Sequence, residues 1–171
     1  MDGQMTAALE ETCRVLGGYR LPRWAELPDL ELYMDQVLAL MERYLGAYPG
    51  ADRKGLTASM VNNYVKLGVM PPPVNKRYSR EHLAYLIGIC LLKPSLPIAA
   101  IQRLFRSEKE RNTAASYDVL CALFEQSSAA ASTEAAIGVE KTPSEAILRA
   151  ALRAQAEQAL ALRLCEALGE S

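Results

Sequence analysis

Three consecutive prolines, Pro71-Pro72-Pro73, separate two segments that otherwise carry helical signals. Proline lacks an amide hydrogen and its ring fixes φ, so no helix runs through these residues and the backbone there is stiff and extended. Upstream, Thr57 is placed to cap a short helix by accepting from the amide of Ser59 or Met60, and Gly68 suits a left-handed stop. The spacing turns Met60, Tyr64 and Leu67 inward, which leaves Ser59, Asn62, Asn63 and Lys66 on the outer face. Downstream, Ser79 is the next cap, with Glu81 in a first turn that favours acids. Residues 55–83 therefore read as helix, rigid turn, helix, with a basic and aromatic tip, Lys76-Arg77-Tyr78, and room for a short wing at 74–78.

The rest of the chain is helical in pattern. Met5, Leu9, Cys13 and Leu16 recur at helical spacing before Gly17-Gly18. Pro22 biases Leu21 away from helix, and Trp24 reads as a core plug. The pattern predicts a helix over 29–45, capped by Asp29, with Leu30, Met34, Val37, Met41 and Leu45 on one side and Gly46 as the stop. A turn follows at 48–52. Leu83, Leu86, Ile87, Cys90 and Leu91 make a wide apolar stripe that Pro94 ends, and Ile98, Ile101, Leu104 and Phe105 mark another helix after Pro97. A charged turn is expected over 106–112 and a helix over 113–126, with Tyr117, Leu120, Cys121 and Phe124 on one side. Residues 127–141 are small and weakly patterned, the composition of a linker. Thr142-Pro143-Ser144-Glu145 matches a capping box. It opens a long helix, with Leu148, Leu152, Ala159, Leu162, Leu164, Cys165 and Leu168 too spread for a strict heptad. The expected fold class is all-α.

With 171 residues, half of them apolar, the chain is long enough for a buried core and is not of disordered composition. No apolar run approaches the length of a membrane span. The start, Met1-Asp2-Gly3-Gln4-Met5, lacks a signal-peptide pattern, so the expected location is the cytoplasm. Cys13, Cys90, Cys121 and Cys165 are far apart in sequence and none forms a C-x-x-C pair; they read as buried apolar residues in a reducing compartment, with no metal site. His82, the one histidine, has no partner at ligand spacing. There is no glycine-rich phosphate loop, no nucleophile motif and no clustered His/Cys/Asp set, so neither an enzyme nor a cofactor is expected.

The net charge of −1 hides an asymmetry. Residues 1–52 carry nine acids against four arginines, whereas 53–80 carry Arg53, Lys54, Lys66, Lys76, Arg77 and Arg80 and no acid. A local cationic segment in a near-neutral chain suits phosphate contact, because Lys and Arg displace condensed counterions.

Residues 55–105 resemble the winged helix-turn-helix of the MerR regulators. In that family a Gly-aliphatic-Ser/Thr start leads into a recognition helix with an Arg-x-Tyr core and a Gly-Leu stop; here these are Gly55-Leu56-Thr57, Asn62-Asn63-Tyr64 and Gly68-Val69. The family's wing carries Arg-x-Tyr-Ser; here it is Lys76-Arg77-Tyr78-Ser79, and Ile98-Ala99-Ala100-Ile101 is similar to a further helix. Asn62 stands where the pattern has arginine, Val65 where it has glutamate, and Tyr48 to Lys54 lengthen the connection before the motif. The stretch from Leu21-Pro22-Arg23-Trp24 to about Phe105 also resembles an uncharacterised bacterial family predicted to bind DNA.

The resemblance implies a winged helix-turn-helix-like helical domain with a small wing, followed by C-terminal helices. The expected division is an N-terminal helix (1–20), the winged domain (21–106) and a C-terminal dimerisation or partner-binding region (107–171). It implies a transcriptional regulator that binds double-stranded DNA as a homodimer, with an effector left unspecified. Ser59, Asn62, Asn63, Tyr64, Lys66, Lys76, Arg77, Tyr78 and Arg80 are the DNA-contact candidates. Asparagine pairs with the adenine edge, lysine reaches guanine or phosphate, and Lys76, Arg77 and Arg80 suit phosphate. The alternative is a protein-interaction adaptor built on the same helical scaffold.

Overall fold

A computed structural model describes residues 3–49, 55–108, 113–137 and 142–168. Arg53, Lys54 and parts of the turns expected at 48–52 and 106–112 lie outside these, as do residues 138–141 of the expected linker. Among the described residues the fold is all-helical: α1 (Gly3–Gly18), α2 (Met34–Leu45), α3 (Ala58–Lys66), α4 (Arg80–Leu92), α5 (Ile98–Glu108), α6 (Thr113–Ile137) and α7 (Pro143–Ala167), with a short 3-10 turn at Trp24–Glu26.

Helix α4 lies at the centre. Its sequence carries apolar or small residues on every side, and His82, Leu83, Ala84, Leu86, Ile87, Gly88 and Ile89 are all buried. The expected stripe is therefore a helix apolar all round, which has to be enclosed. Helices α2, α5 and α6 pack on it. Gly88 permits a close approach: a Cβ there would lie 3.0 Å from Phe105 Cζ and 3.4 Å from Leu120 Cδ2.

Two boundaries differ from the sequence expectation. Helix α2 begins at Met34, not Asp29. The backbone of Leu32 is instead spent on an antiparallel bridge to Tyr78, with N–H···O bonds of 2.8 and 2.9 Å. Leu30, assigned to the helix's apolar face, is 57 % exposed. The cap is side chain to backbone: Gln36 Oε1 accepts from the Tyr33 amide at 2.9 Å.

Residues 127–137, expected as linker, continue α6. Small side chains among residues 128–132 let α1 lie close along α6. Ser132 Oγ donates to the Cys13 carbonyl at 2.8 Å, and a Cβ on Gly17 would meet Ser132 Oγ at 3.2 Å. Ser128 is buried and bonds Tyr48 Oη at 3.2 Å. Small residues thus mark close packing here, a pattern that has little apolar periodicity to detect.

The segment between α1 and α2 is fastened to α6 by polar contacts. Glu125, buried, accepts from the Leu21 amide at 3.0 Å and from Arg23 Nη2 at 2.6 Å. Asp118 accepts from the Trp24 amide at 2.8 Å, and the Tyr117 hydroxyl donates to the Pro22 carbonyl at 2.8 Å. Trp24 is half-buried, edge-on to Tyr117 with ring centroids 6.3 Å apart. The core-plug reading therefore describes its place only in part. Tyr19 packs edge-on against Tyr48 and Phe124 and donates to the Tyr44 carbonyl. Burial pushes its hydroxyl up to about 12.

Two consequences follow for stability. Glu125→Ala leaves the Leu21 amide and Arg23 without their acceptor and should cost about 2 kcal/mol in denaturant unfolding, with Glu125→Gln recovering part of it. Keeping Tyr19 neutral stabilises the fold fully below its ordinary value of 10.0, and that contribution drains away as pH rises to about 12. Wild type should therefore lose stability over that interval more steeply than Tyr19→Phe, as read by denaturant midpoints at each pH.

Candidate nucleic-acid interface

Helix α3 is short and held at both ends. Thr57 Oγ1 accepts from the Met60 amide at 3.3 Å, the capping bond its position promised. At the other end Gly68 takes φ +66° and ends the helix in the left-handed conformation. The Leu67 and Gly68 carbonyls then accept from Gln102 Nε2 of α5, at 2.7 and 3.2 Å. Val61 and Tyr64 form the buried face, with Met60 only half-buried and Leu67 45 % exposed. The inward set is thus rotated by about one residue from the sequence expectation. Ser59, Asn62, Asn63 and Lys66 are all exposed.

The proline segment leads into a two-residue turn. Val74 and Arg77 exchange both backbone bonds, at 3.1 and 2.8 Å, with Asn75 at φ 49° and Lys76 at φ 61°. Two positive φ values make a primed turn, whose twist matches an antiparallel pair. Asparagine tolerates this region; lysine does so at a cost of roughly 1 kcal/mol, and glycine is the residue that fits without strain. Lys76 is exposed at that tip. The expected wing is therefore a tight turn with two isolated antiparallel bridges, Val74 to Arg77 and Leu32 to Tyr78, rather than a pair of strands.

The remaining candidates divide sharply. Arg77 is half-buried with its guanidinium carbon 3.7 Å from the centroid of the Tyr33 ring. Stacking engages the face of the guanidinium and leaves its in-plane N–H groups directed outward from the ring. Arg80 is turned inward. Its side chain is 19 % exposed, pairs with Asp29 at 3.5 Å, and lies 5.7 Å from the Trp24 ring centroid. Tyr64 and Tyr78 are buried, so their rings belong to the core. The exposed set is Ser59, Asn62, Asn63, Lys66 and Lys76, with Arg77 at its edge.

His82 organises the join between the turn and α4. It sits three residues after the Ser79 cap, where a capping box has glutamate or glutamine. Its Nδ1 accepts from the Ser79 amide at 3.0 Å, so Nε2 carries the proton and donates to the Pro72 carbonyl at 3.2 Å. The ring also stands edge-on to Tyr78, 5.4 Å between centroids. The Ser-x-x-His spacing signals this role; nothing in the sequence signals Gln102, whose partners lie more than thirty residues away. Among the described residues no group of His, Cys, Asp and Glu gathers as a metal site. Replacing His82 by Ala should cost about 2 kcal/mol in thermal or denaturant unfolding and expose the Ser79 amide to rapid hydrogen exchange.

A family model for a domain of unknown function, DUF1836, matches residues 22–125. The match runs from the Pro22 segment through α2 to α5 and into α6 as far as Glu125, the residue that holds that segment in place. It extends past residue 106, where the sequence reading ended the domain. No curated protein matches the chain significantly, and no solved structure does. The matched span covers more than half of the chain, which therefore belongs to the DUF1836 family.

Proposed function

We propose that this protein is a DNA-binding transcriptional regulator of winged helix-turn-helix type, that it acts as a homodimer in the cytoplasm, and that it is not an enzyme. Helix α3 is the recognition element. Asn62 and Asn63 meet base edges, with adenine the matching base, and Lys66 meets guanine or phosphate. Lys76 and Arg77 contact the phosphate backbone and set position without reading sequence. Ser59 adds a hydroxyl at the start of the same helix. Tyr64, Tyr78 and Arg80 support the element from behind.

The observation that carries this reading is Lys76. A turn position that glycine would occupy at lower cost holds an exposed cation, in the wing the resemblance assigns to phosphate contact. The exposed polar face of α3, braced at both ends by Thr57 and Gln102, is the second support. Among the described residues no helix is long and apolar enough to cross a membrane.

The adaptor reading has one observation in its favour, the leucines of α7 left exposed, such as Leu152 at 66 %. Under that reading the chain shows no salt-dependent retention on heparin or duplex DNA.

The deciding measurement is fluorescence anisotropy with genomic duplex fragments. Binding is expected at about 50 mM salt, falling steeply as salt rises. Lys76→Gly should stabilise the fold by up to about 1 kcal/mol and yet weaken binding to every duplex, with a salt slope shallower by about 1. Arg77→Ala should flatten the slope similarly. Asn62→Ala should alter the preferred sequence and leave the slope unchanged. Absence of duplex binding at about 50 mM salt, where phosphate contacts are strongest, rules the reading out.

A further inference from the structure

Helix α7 is docked along one side of its C-terminal half. Cys165 is buried there, Ala161 and Leu162 are half-buried against the core, and Gln158 Nε2 donates to the Ser95 carbonyl at 2.9 Å. Upstream, every residue from 147 to 160 is exposed. Arg153 pairs with Glu134 of α6 and with Glu157, but Ile147, Leu148 and Leu152 remain 61, 58 and 66 % exposed. A helix standing clear of the core with leucines uncovered lacks the packing that stabilises most helices.

The exposed leucines follow a rule. Leu148, Leu152, Leu160, Leu164 and Leu168 recur every four residues, and Ala156 fills the one gap. Such a repeat forms a single ridge along the helix, the type that interlocks in the commonest helix packing, at a crossing of about −50°. Ala156 lies nine residues from Cys165, two and a half turns, and so on the side opposite the docked face. From 148 to 164 the ridge reads Leu-Leu-Ala-Leu-Leu, the same in either direction, and no charged residue interrupts it.

We infer that α7 is the seam of a homodimer in which two copies cross antiparallel at Ala156. A two-fold axis through Ala156 places Leu148 beside the partner's Leu164 and Leu152 beside the partner's Leu160. The small side chain at the centre lets the helices approach to about 8–10 Å. A standard interface takes about 800 Å² and 20–30 residues from each partner. The ridge from Leu148 to Leu168 runs about 30 Å, and each exposed N-terminal half then lies over the other copy's docked C-terminal half, whose body adds the remainder. The internal segments outside the described residues are at most five residues long, too short to cover five turns of helix. This deepens the homodimer part of the reading above and does not depend on DNA contact.

The test uses the full chain without DNA. Light scattering at about 50 µM should give twice 18.7 kDa, as a dimer of micromolar affinity or better requires. Leu152→Glu combined with Leu160→Glu should return the mass to 18.7 kDa with the helical circular dichroism unchanged. Under mild oxidation Ala156→Cys should form a covalent dimer above the wild-type background. Ser144→Cys should not, because antiparallel pairing sets the two copies of that position at opposite ends of the seam. A monomeric wild type, a dimer that survives the double substitution, or cross-linking of Ser144→Cys in place of Ala156→Cys would overturn the proposal. A confirmed dimer that fails to bind duplex DNA would retain this seam and remove only the DNA reading.

Discussion

Helix α4 carries apolar or small residues on every side beyond its first turn, and other helices pack around it. Leu83, Leu86, Ile87 and Ile89 are fully buried, and each contributes roughly 1.5–3 kcal/mol by leaving water. That burial has to come from several directions at once. Helix α2 supplies Val37 and Met41, α3 supplies Val61 and Tyr64, α5 supplies Ala100 and Ile101, and α6 supplies Tyr117 and Cys121. Helix α3 is thereby tied into the same core. Its inner face is committed to the core, and its outer face is left for contact with something else.

Polar groups set the registers that apolar packing leaves loose. Glu125, His82 and Gln102 each meet backbone groups of a segment that has no regular structure to satisfy them: the Leu21 amide, the Pro72 carbonyl, and the Leu67 and Gly68 carbonyls. The Leu21 amide is buried, and left without a partner it would cost about 1–3 kcal/mol; the other three bonds are partly or fully exposed and are worth less. The proline stretch is stiff by itself, but the bond from His82 anchors it to the start of α4. The proline stretch is thus fastened to α4, and the end of α3 to α5. Preorganisation of this kind spares a binding surface the ordering cost that association otherwise incurs.

Two of the exposed surfaces differ in chemistry. Ser59, Asn62, Asn63 and Lys66 of α3 and Lys76 of the turn are exposed and are polar or cationic. The outer face of α7 is a leucine ridge. Under the function proposed above, the first would face the duplex and the second the other copy. Asp29 pairs with Arg80 and holds it inward, away from the exposed set.

Much of this was legible in the residues. Thr57, Gly68, Ser79 and Thr142 mark helix ends because capping is local chemistry, decided within four residues. The outer set of α3 follows from its period, although Val61 rather than Met60 proved to be the innermost residue. The linker expected at 127–141 was misjudged over residues 127–137, because close helix packing through serine and alanine leaves no apolar period. The start of α2 was misplaced because Leu32 bonds to Tyr78, forty-six residues later in the chain. Local signals thus determined the all-α class, most caps and the exposed polar face. Only the folded chain decided that Arg80 is paired, that Arg77 is stacked on Tyr33 and that Gln102 braces α3. These depend on contacts between distant segments, and charge or periodicity in one segment carries no record of what the others bring to it.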